Sequence, residues 1–137
     1  MNRIWSPDTV PPPAADYHQC ALVSPGATRL HIAGQLGITA NGEVADSAEE
    51  QIVLAWQNLR GVLLANRMDI GDLISVRIYL TSRALIPDYR RAKQRLPFSV
   101  GGLPTTLLLV QGLFDERWLV EIEAEAAKPL QCAAANT

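Results

Sequence analysis

Cysteine and histidine are scarce in this chain, and their scarcity narrows the chemistry that it can perform. The 137 residues contain two of each, and none follows the HxH, HxxxH or CxxC spacing of a metal site. We therefore expect no bound metal and no cofactor. Cys20 and Cys132 lie near opposite ends of the chain. A disulfide bridge between them is one alternative, but two reduced thiols fit a cytoplasmic protein better.

Long apolar runs and clusters of basic residues are also missing. No segment approaches the length of a membrane span, and the first residues lack the apolar stretch of a signal peptide. The formal net charge is −2, and no run of Lys or Arg is dense enough to follow a phosphate backbone. The sequence thus predicts a cytoplasmic protein with neither a membrane nor a nucleic acid as its partner.

What the chain does contain is enough apolar material for one globular core. Hydrophobic residues make up 48% and charged residues 19% of the sequence, which is too apolar for a disordered chain. The length predicts a single domain over residues 1–137, with a proline-rich extended arm at 1–16 and a flexible tail at 128–137. A domain of this size covers its apolar surface only moderately well, which favours a homo-oligomer.

Hydrophobic periodicity predicts two helices and five strands. Ser47 and Glu50 have capping-box spacing, and apolar residues then repeat at helical spacing. The predicted helices cover 48–65 and 87–95. The predicted strands cover 19–23, 29–33, 73–80, 105–113 and 118–126, and the last two are interpreted as a hairpin. The order β-β-α-β-α-β-β indicates an α+β fold with both helices on one face of a mixed sheet.

Three glutamates, Glu121, Glu123 and Glu125, alternate with apolar residues on the final strand. Neighbouring carboxylates on one face repel each other, so each needs solvent, a donor or a cation. A solvated sheet face is one interpretation. The other is that Glu121, which lies deeper, accepts a proton from an attacking water. Arg77 shares a strand face with Tyr79, and it either neutralises the glutamates or binds a substrate.

Seven segments taken together resemble the RidA/YjgF family, the reactive-intermediate deaminases. They follow the family's order along nearly the whole chain. They are Tyr17 with Gln19, Leu30–Gly37, Asn41–Val44, Ala55–Leu59, Asp72–Leu80, Pro104–Leu108 and Leu119–Ala126.

The resemblance implies a chorismate-mutase-like fold, a homotrimer, and small-molecule clefts between its subunits. Members that are deaminases hydrolyse reactive enamines and imines, such as 2-aminoacrylate. Glu121 matches the glutamate that positions water in these enzymes. Tyr17 and Gly34 match residues that line the cleft, and Leu108 stands where many members have a cysteine.

Thr106 is the departure from that pattern, because the deaminases have an arginine at this position. A hydroxyl donates one hydrogen bond and does not replace a bidentate cation. The resemblance therefore implies a substrate less anionic than a 2-imino acid, bound with the help of Thr106 and the Gly34 backbone. Two hypotheses stay open: a hydrolase of C=N bonds that uses Glu121, and a non-catalytic trimer that binds small metabolites or a partner.

Overall fold

The structure is a computed structural model that describes residues 2–130. Its helices are α1 (Ala48–Ala65) and α2 (Ile86–Arg95). Its strands are β1 (Arg3–Trp5), β2 (Cys20–Leu22), β3 (Thr28–Leu36), β4 (Leu73–Leu80), β5 (Thr105–Leu109) and β6 (Val120–Lys128). The predicted bounds of α1 and β4 match, and α2 begins one residue earlier than predicted. Single 3-10 turns precede β4 and α2.

The main sheet has four strands in the order β3-β6-β4-β5. β6 lies between β3 and β4 and runs antiparallel to both. β4 and β5 are parallel and are connected through α2, since parallel neighbours need a long crossover. The sheet is therefore mixed, as expected, and the fold is α+β with two helices.

The predicted C-terminal hairpin is wrong. β5 and β6 do not pair with each other, because β4 separates them. Alternation of apolar and polar residues defines the two faces of a strand but carries no information about its neighbours. β5 also ends at Leu109, four residues before the predicted end.

The N-terminal region, predicted as an extended arm over residues 1–16, contains one strand. Residues 3–5 form β1, which pairs antiparallel with β2 in a small separate sheet. The first predicted strand thus exists but lies outside the main sheet. Cys20 is a free thiol that donates to the Trp5 carbonyl at 3.2 Å. Cys132 and most of the predicted tail lie outside the described residues.

The core forms between the main sheet and α1. Ser47 caps α1 by accepting from the Glu50 amide at 3.1 Å. The buried face of α1 includes Trp56, which is 1% exposed, as its place in the apolar stripe predicts. α1 packs on β3 and β6, and α2 packs beside α1.

The two faces of the main sheet differ sharply. The core face of β6 carries four side chains that are at most 4% exposed: Val120, Ile122, Ala124 and Ala126. The opposite face, here called the outer face, carries the three glutamates, all half-buried. The predicted alternation of β6 is confirmed, and it places the candidate chemistry on the outer face.

Candidate functional site

The outer face is ordered in rows that cross the strands. One row joins Leu108, Tyr79 and Glu121 on β5, β4 and β6. The next row joins Thr106, Arg77 and Glu123, and a third joins Ser75, Glu125 and His31. Side chains in direct register lie about 5 Å apart at their Cβ atoms. The sheet therefore brings polar groups from four strands into one array.

Gly34 leaves room for the carboxyl group of Glu121. β3 has an irregular register between Ile32 and Gln35, and Gly34 lies within this bulge. A Cβ atom built on Gly34 would overlap Oε1 of Glu121. Bulges re-aim local backbone next to functional groups. Two of the predicted site residues are thus in direct contact, and a larger residue at position 34 would displace the Glu121 carboxyl group.

The environment of Glu121 favours its protonated form. Burial raises the pKa of Glu121 above the ordinary value of 4.5, and the negative charge of Glu123 raises it further. Loss of water disfavours a carboxylate, and a neighbouring like charge adds to the penalty. A carboxyl group with such a pKa exchanges protons nearer neutral pH than an exposed glutamate does.

Glu123 interacts with Tyr79 and not with Arg77. The Tyr79 hydroxyl donates to Oε1 of Glu123, and this hydrogen bond is the first cause of the raised pKa of Tyr79, followed by burial. Within residues 2–130 the Arg77 guanidinium forms neither an ion pair nor a hydrogen bond. It lies in a groove of about 310 Å³ beside Glu123 and Glu125. Arg77 is thus near the glutamates without the direct pairing that neutralisation predicts.

A second concave region, here called the edge cleft, runs along β5. It has a volume of about 420 Å³, within the usual range for small-ligand sites. Its polar side chains come from the segment before β2, from α2 and from β5: Asp16, Tyr17, Tyr89, Lys93, Thr105 and Thr106. Desolvation raises the pKa of Tyr89 to about 12, with a smaller contribution from the charge of Asp16.

The sequence-predicted residues thus fall into two groups within one chain. Tyr17 lies at the edge cleft, and Glu121 and Gly34 lie together on the outer face. Thr106 borders the edge cleft and also belongs to an outer-face row. Leu108 lies between the groups, in the row of Glu121, and is 48% exposed. β4 separates the strands that carry Thr106 and Glu121.

Sequence reasoning did not identify Tyr89 and Lys93 as residues of the edge cleft. Both lie on α2, more than ten positions before Thr106, and their spacing resembles that of an ordinary helix surface. No motif marks them. Only the packing of α2 against the edge of the sheet brings them to the cleft.

A profile of the family described as endoribonuclease L-PSP matches residues 8–128, which include every candidate residue above. The chain belongs to this family, which is the RidA/YjgF family. The expected membership is confirmed.

Known proteins support the same conclusion. A RutC family protein from Buchnera aphidicola is 25% identical over 83 residues, which cover 60% of this chain and 62% of that protein. The chain thus matches about three-fifths of the length of this curated relative. YyfB from Yersinia pestis, of the conserved Rid protein family, is 25% identical with a TM-score of 0.78, covering 93% of this chain and 98% of YyfB.

The fold also matches E. coli TdcF, whose crystal structure contains bound serine. The two are 19% identical, with a TM-score of 0.64 and coverage of 93% of this chain and 99% of TdcF. Among the described residues, neither α1 nor α2 has the length and apolar character of a membrane span. Residues 2–130 also contain no group of three or more His, Cys, Asp or Glu that could hold a metal ion.

Proposed function

We propose that this protein hydrolyses a C=N bond in a small imine, enamine or related molecule, with Glu121 as the group that positions and deprotonates water. The observation that supports this proposal is the contact between Glu121 and Gly34. The carboxyl group is half-buried, its pKa is raised, and it lies over backbone that has no side chain.

The reaction requires a group that takes a proton from water and later gives a proton to the leaving nitrogen. Glu121 as carboxylate accepts a proton from water while the oxygen attacks the imine carbon. The protonated carboxyl gives this proton to the imine nitrogen, so that a carbinolamine forms. Glu121 then takes the hydroxyl proton of the carbinolamine and passes it to the amino group, the C–N bond breaks, and ammonia leaves with a carbonyl as the other product. A raised pKa suits both steps, because the group must be deprotonated first and protonated afterwards.

A homotrimer of the chorismate-mutase-like type, working in the cytoplasm, is part of this proposal. Within one chain Tyr17 and Thr106 lie apart from Glu121, so a cleft shared by two subunits would complete the site. The exposed apolar residues on and after β5 support such an interface: Leu108, Leu109 and Phe114. Size-exclusion chromatography with light scattering should give three times the mass of the chain, and a monomer would contradict a shared cleft.

The family description names an endoribonuclease, but the outer face does not support RNA as the substrate. Its three glutamates would repel a phosphate backbone. E. coli TdcF, which shares the fold, holds serine, a small molecule of the size proposed for this protein.

The test is ammonia release from freshly generated 2-iminopropanoate and from an uncharged imine. Glu121→Gln should lower kcat by about 10²- to 10⁴-fold, because it removes the base. Glu125→Gln is the matched control, since it lies on the same strand and face, and it should retain activity. Activity that survives Glu121→Gln would contradict the mechanism. No activity on any imine, with a retained affinity for small metabolites, would favour the non-catalytic trimer.

Thr106→Arg provides a second comparison. An arginine on β5 adds a bidentate donor for carboxylates, so this variant should bind 2-iminopropanoate more tightly than the wild type. If only the variant is active on this substrate, the scaffold is intact and the natural ligand differs.

A further inference from the structure

A buried amide side chain joins α1 to the start of β6. Gln51 is 3% exposed, and an amide loses free energy on burial unless its polar atoms are hydrogen-bonded. Its Nε2 donates to the carbonyls of Ala45 at 3.2 Å and Arg117 at 3.1 Å. Its Oε1 accepts from the Leu119 amide at 2.9 Å. An apolar side chain would fill the same space, so the amide serves the backbone segments that it joins.

The segment that Gln51 holds leads directly into Glu121. Leu119 lies two residues before Glu121, and its carbonyl accepts from the Thr81 amide at 3.2 Å. Both backbone polar groups of Leu119 are therefore hydrogen-bonded. Each residue of a strand sets the direction of the next ones, so a displacement at Leu119 is passed on to the Glu121 side chain.

The pairing of β3 with β6 is irregular next to Glu121. Between the pairs Ile32 with Ala124 and Gln35 with Ile122, β3 has one residue more than β6. Beyond this bulge only the pair of Leu36 with Glu121 follows. A slip of one residue turns every side chain of a strand to the opposite face. An anchor outside the ladder therefore helps to keep Glu121 on the outer face.

Asn58 anchors the neighbouring strand in the same way. It lies two turns after Gln51, on the same side of α1. Its Nδ2 donates to the carbonyls of Leu36 at 2.8 Å and Ile38 at 2.9 Å, and Leu36 is the register partner of Glu121. α1 thus holds both strands close to the position of Glu121, with one amide side chain for each strand.

We propose that Gln51 is a positioning residue for Glu121: it fixes the start of β6, so that the carboxyl group stays against the Gly34 backbone. Gln51 acts from the core face of the sheet, whereas the carboxyl group lies on the outer face. The catalytic part of this inference rests on the proposed function. The positional part concerns the folded chain alone.

The test replaces Gln51 with a side chain of similar length that forms no hydrogen bonds. Gln51→Met should lower kcat for imine hydrolysis by about a hundredfold, because misplacement of a catalytic group by about 1 Å has this effect. KM should stay unchanged, since Gln51 lies on the opposite side of the sheet from the substrate. The pKa of Glu121, measured by carboxyl ¹³C NMR titration, should fall toward 4.5, because a displaced carboxyl group gains water.

Two further variants separate position from general stability. Gln51→Asn keeps the amide but shortens the side chain, so it should lower kcat and the pKa of Glu121 in the same direction; it serves if Gln51→Met does not fold. Leu63→Val is the matched control. Leu63 is fully buried on the same helix, more than three turns from Gln51, and its variant should be less stable with the kcat and the Glu121 pKa of the wild type.

A wild-type kcat and a wild-type Glu121 pKa in folded Gln51→Met or Gln51→Asn would overturn the proposal. Equal changes in Leu63→Val would overturn it too, because they would show a general loosening of the core. Failure of the hydrolase proposal gives a different result: the pKa of Glu121 depends on Gln51, yet the wild type releases no ammonia from any imine. Conversely, ammonia release that needs Glu121 but not Gln51 would leave the hydrolase standing without this positioning residue.

Discussion

The two faces of β6 show how one strand serves stability and chemistry at once. On the core face, Val120, Ile122 and Ala126 are fully buried, and β6 packs against α1. On the outer face, Glu121 is half-buried and its pKa is raised by desolvation and by Glu123. The core face buries apolar side chains, which is favourable, whereas the outer face partly buries carboxyl groups, which is unfavourable for their charged form. Such mismatches are typical of functional sites.

The largest expected effect comes from the core face. Ile122→Ala removes buried methyl groups and leaves a cavity, which should lower the free energy of unfolding by about 2–5 kcal/mol. Glu125→Gln on the outer face should change it by less than about 0.5 kcal/mol. Urea denaturation followed by circular dichroism measures both. Equal losses from the two variants would show that the outer face is also a packed core.

Gly34→Ala tests whether activity depends on the close approach of the Glu121 carboxyl group to the backbone of residue 34. The added Cβ would displace the Glu121 carboxyl, and misplacement of a catalytic group by about 1 Å costs about a hundredfold in rate. We therefore expect kcat for imine hydrolysis to fall by about a hundredfold. Stability should change little, because the glutamate side chain can rotate away.

Gly61→Ala is the control for this variant. Gly61 lies within α1, and a Cβ atom there meets nothing within 4 Å beyond its sequence neighbours and the adjoining helix backbone. This change should leave activity intact and raise stability by about 0.5–1 kcal/mol. Full activity of Gly34→Ala would show that the contact with Glu121 has no catalytic role.

The smallest expected effect concerns charge on the outer face. Glu123→Gln removes the second cause of the raised pKa of Glu121, so this pKa should fall but stay above 4.5, since desolvation persists. Carboxyl ¹³C NMR titration measures it. Asp115, whose pKa Arg117 lowers to about 2, should not change. An unchanged or higher pKa of Glu121 would show that Glu123 does not act on it.

The raised pKa of Glu121 also makes the free energy of unfolding depend on pH. Folded protein holds the Glu121 proton more tightly than unfolded protein, so stability falls as pH rises from 4.5 through the higher folded pKa. Glu121→Gln should remove this part of the pH dependence and make the variant relatively more stable at neutral pH.

Local patterns in the sequence predicted the elements of this fold better than their arrangement. α1 was predicted with its full bounds because Ser47 caps it and its apolar stripe is continuous. β4 and the alternation of β6 followed from side-chain period. The placement of β6 between β3 and β4 was missed, because strand neighbours depend on contacts between distant segments.

The residues of the candidate site also divide into those that the sequence indicates and those that only the fold brings together. Glu121 was identified from its strand and its family position, and its contact with Gly34 was not foreseen as a direct one. Lys93 and Tyr89 gave no signal, since a helix surface with a lysine and a tyrosine is common. Their position at the edge cleft depends on where α2 lies beside β5, which only the folded chain defines.

The central position of β6 has a consequence for synthesis on the ribosome. β3, α1 and β4 emerge before residues 120–128 have been made, so the nascent chain carries two strands with unpaired inner edges. Such edges are prone to pair with other chains. The sheet closes only when its last strand inserts between them, and this late insertion makes chaperone contact most useful just before the final strand emerges.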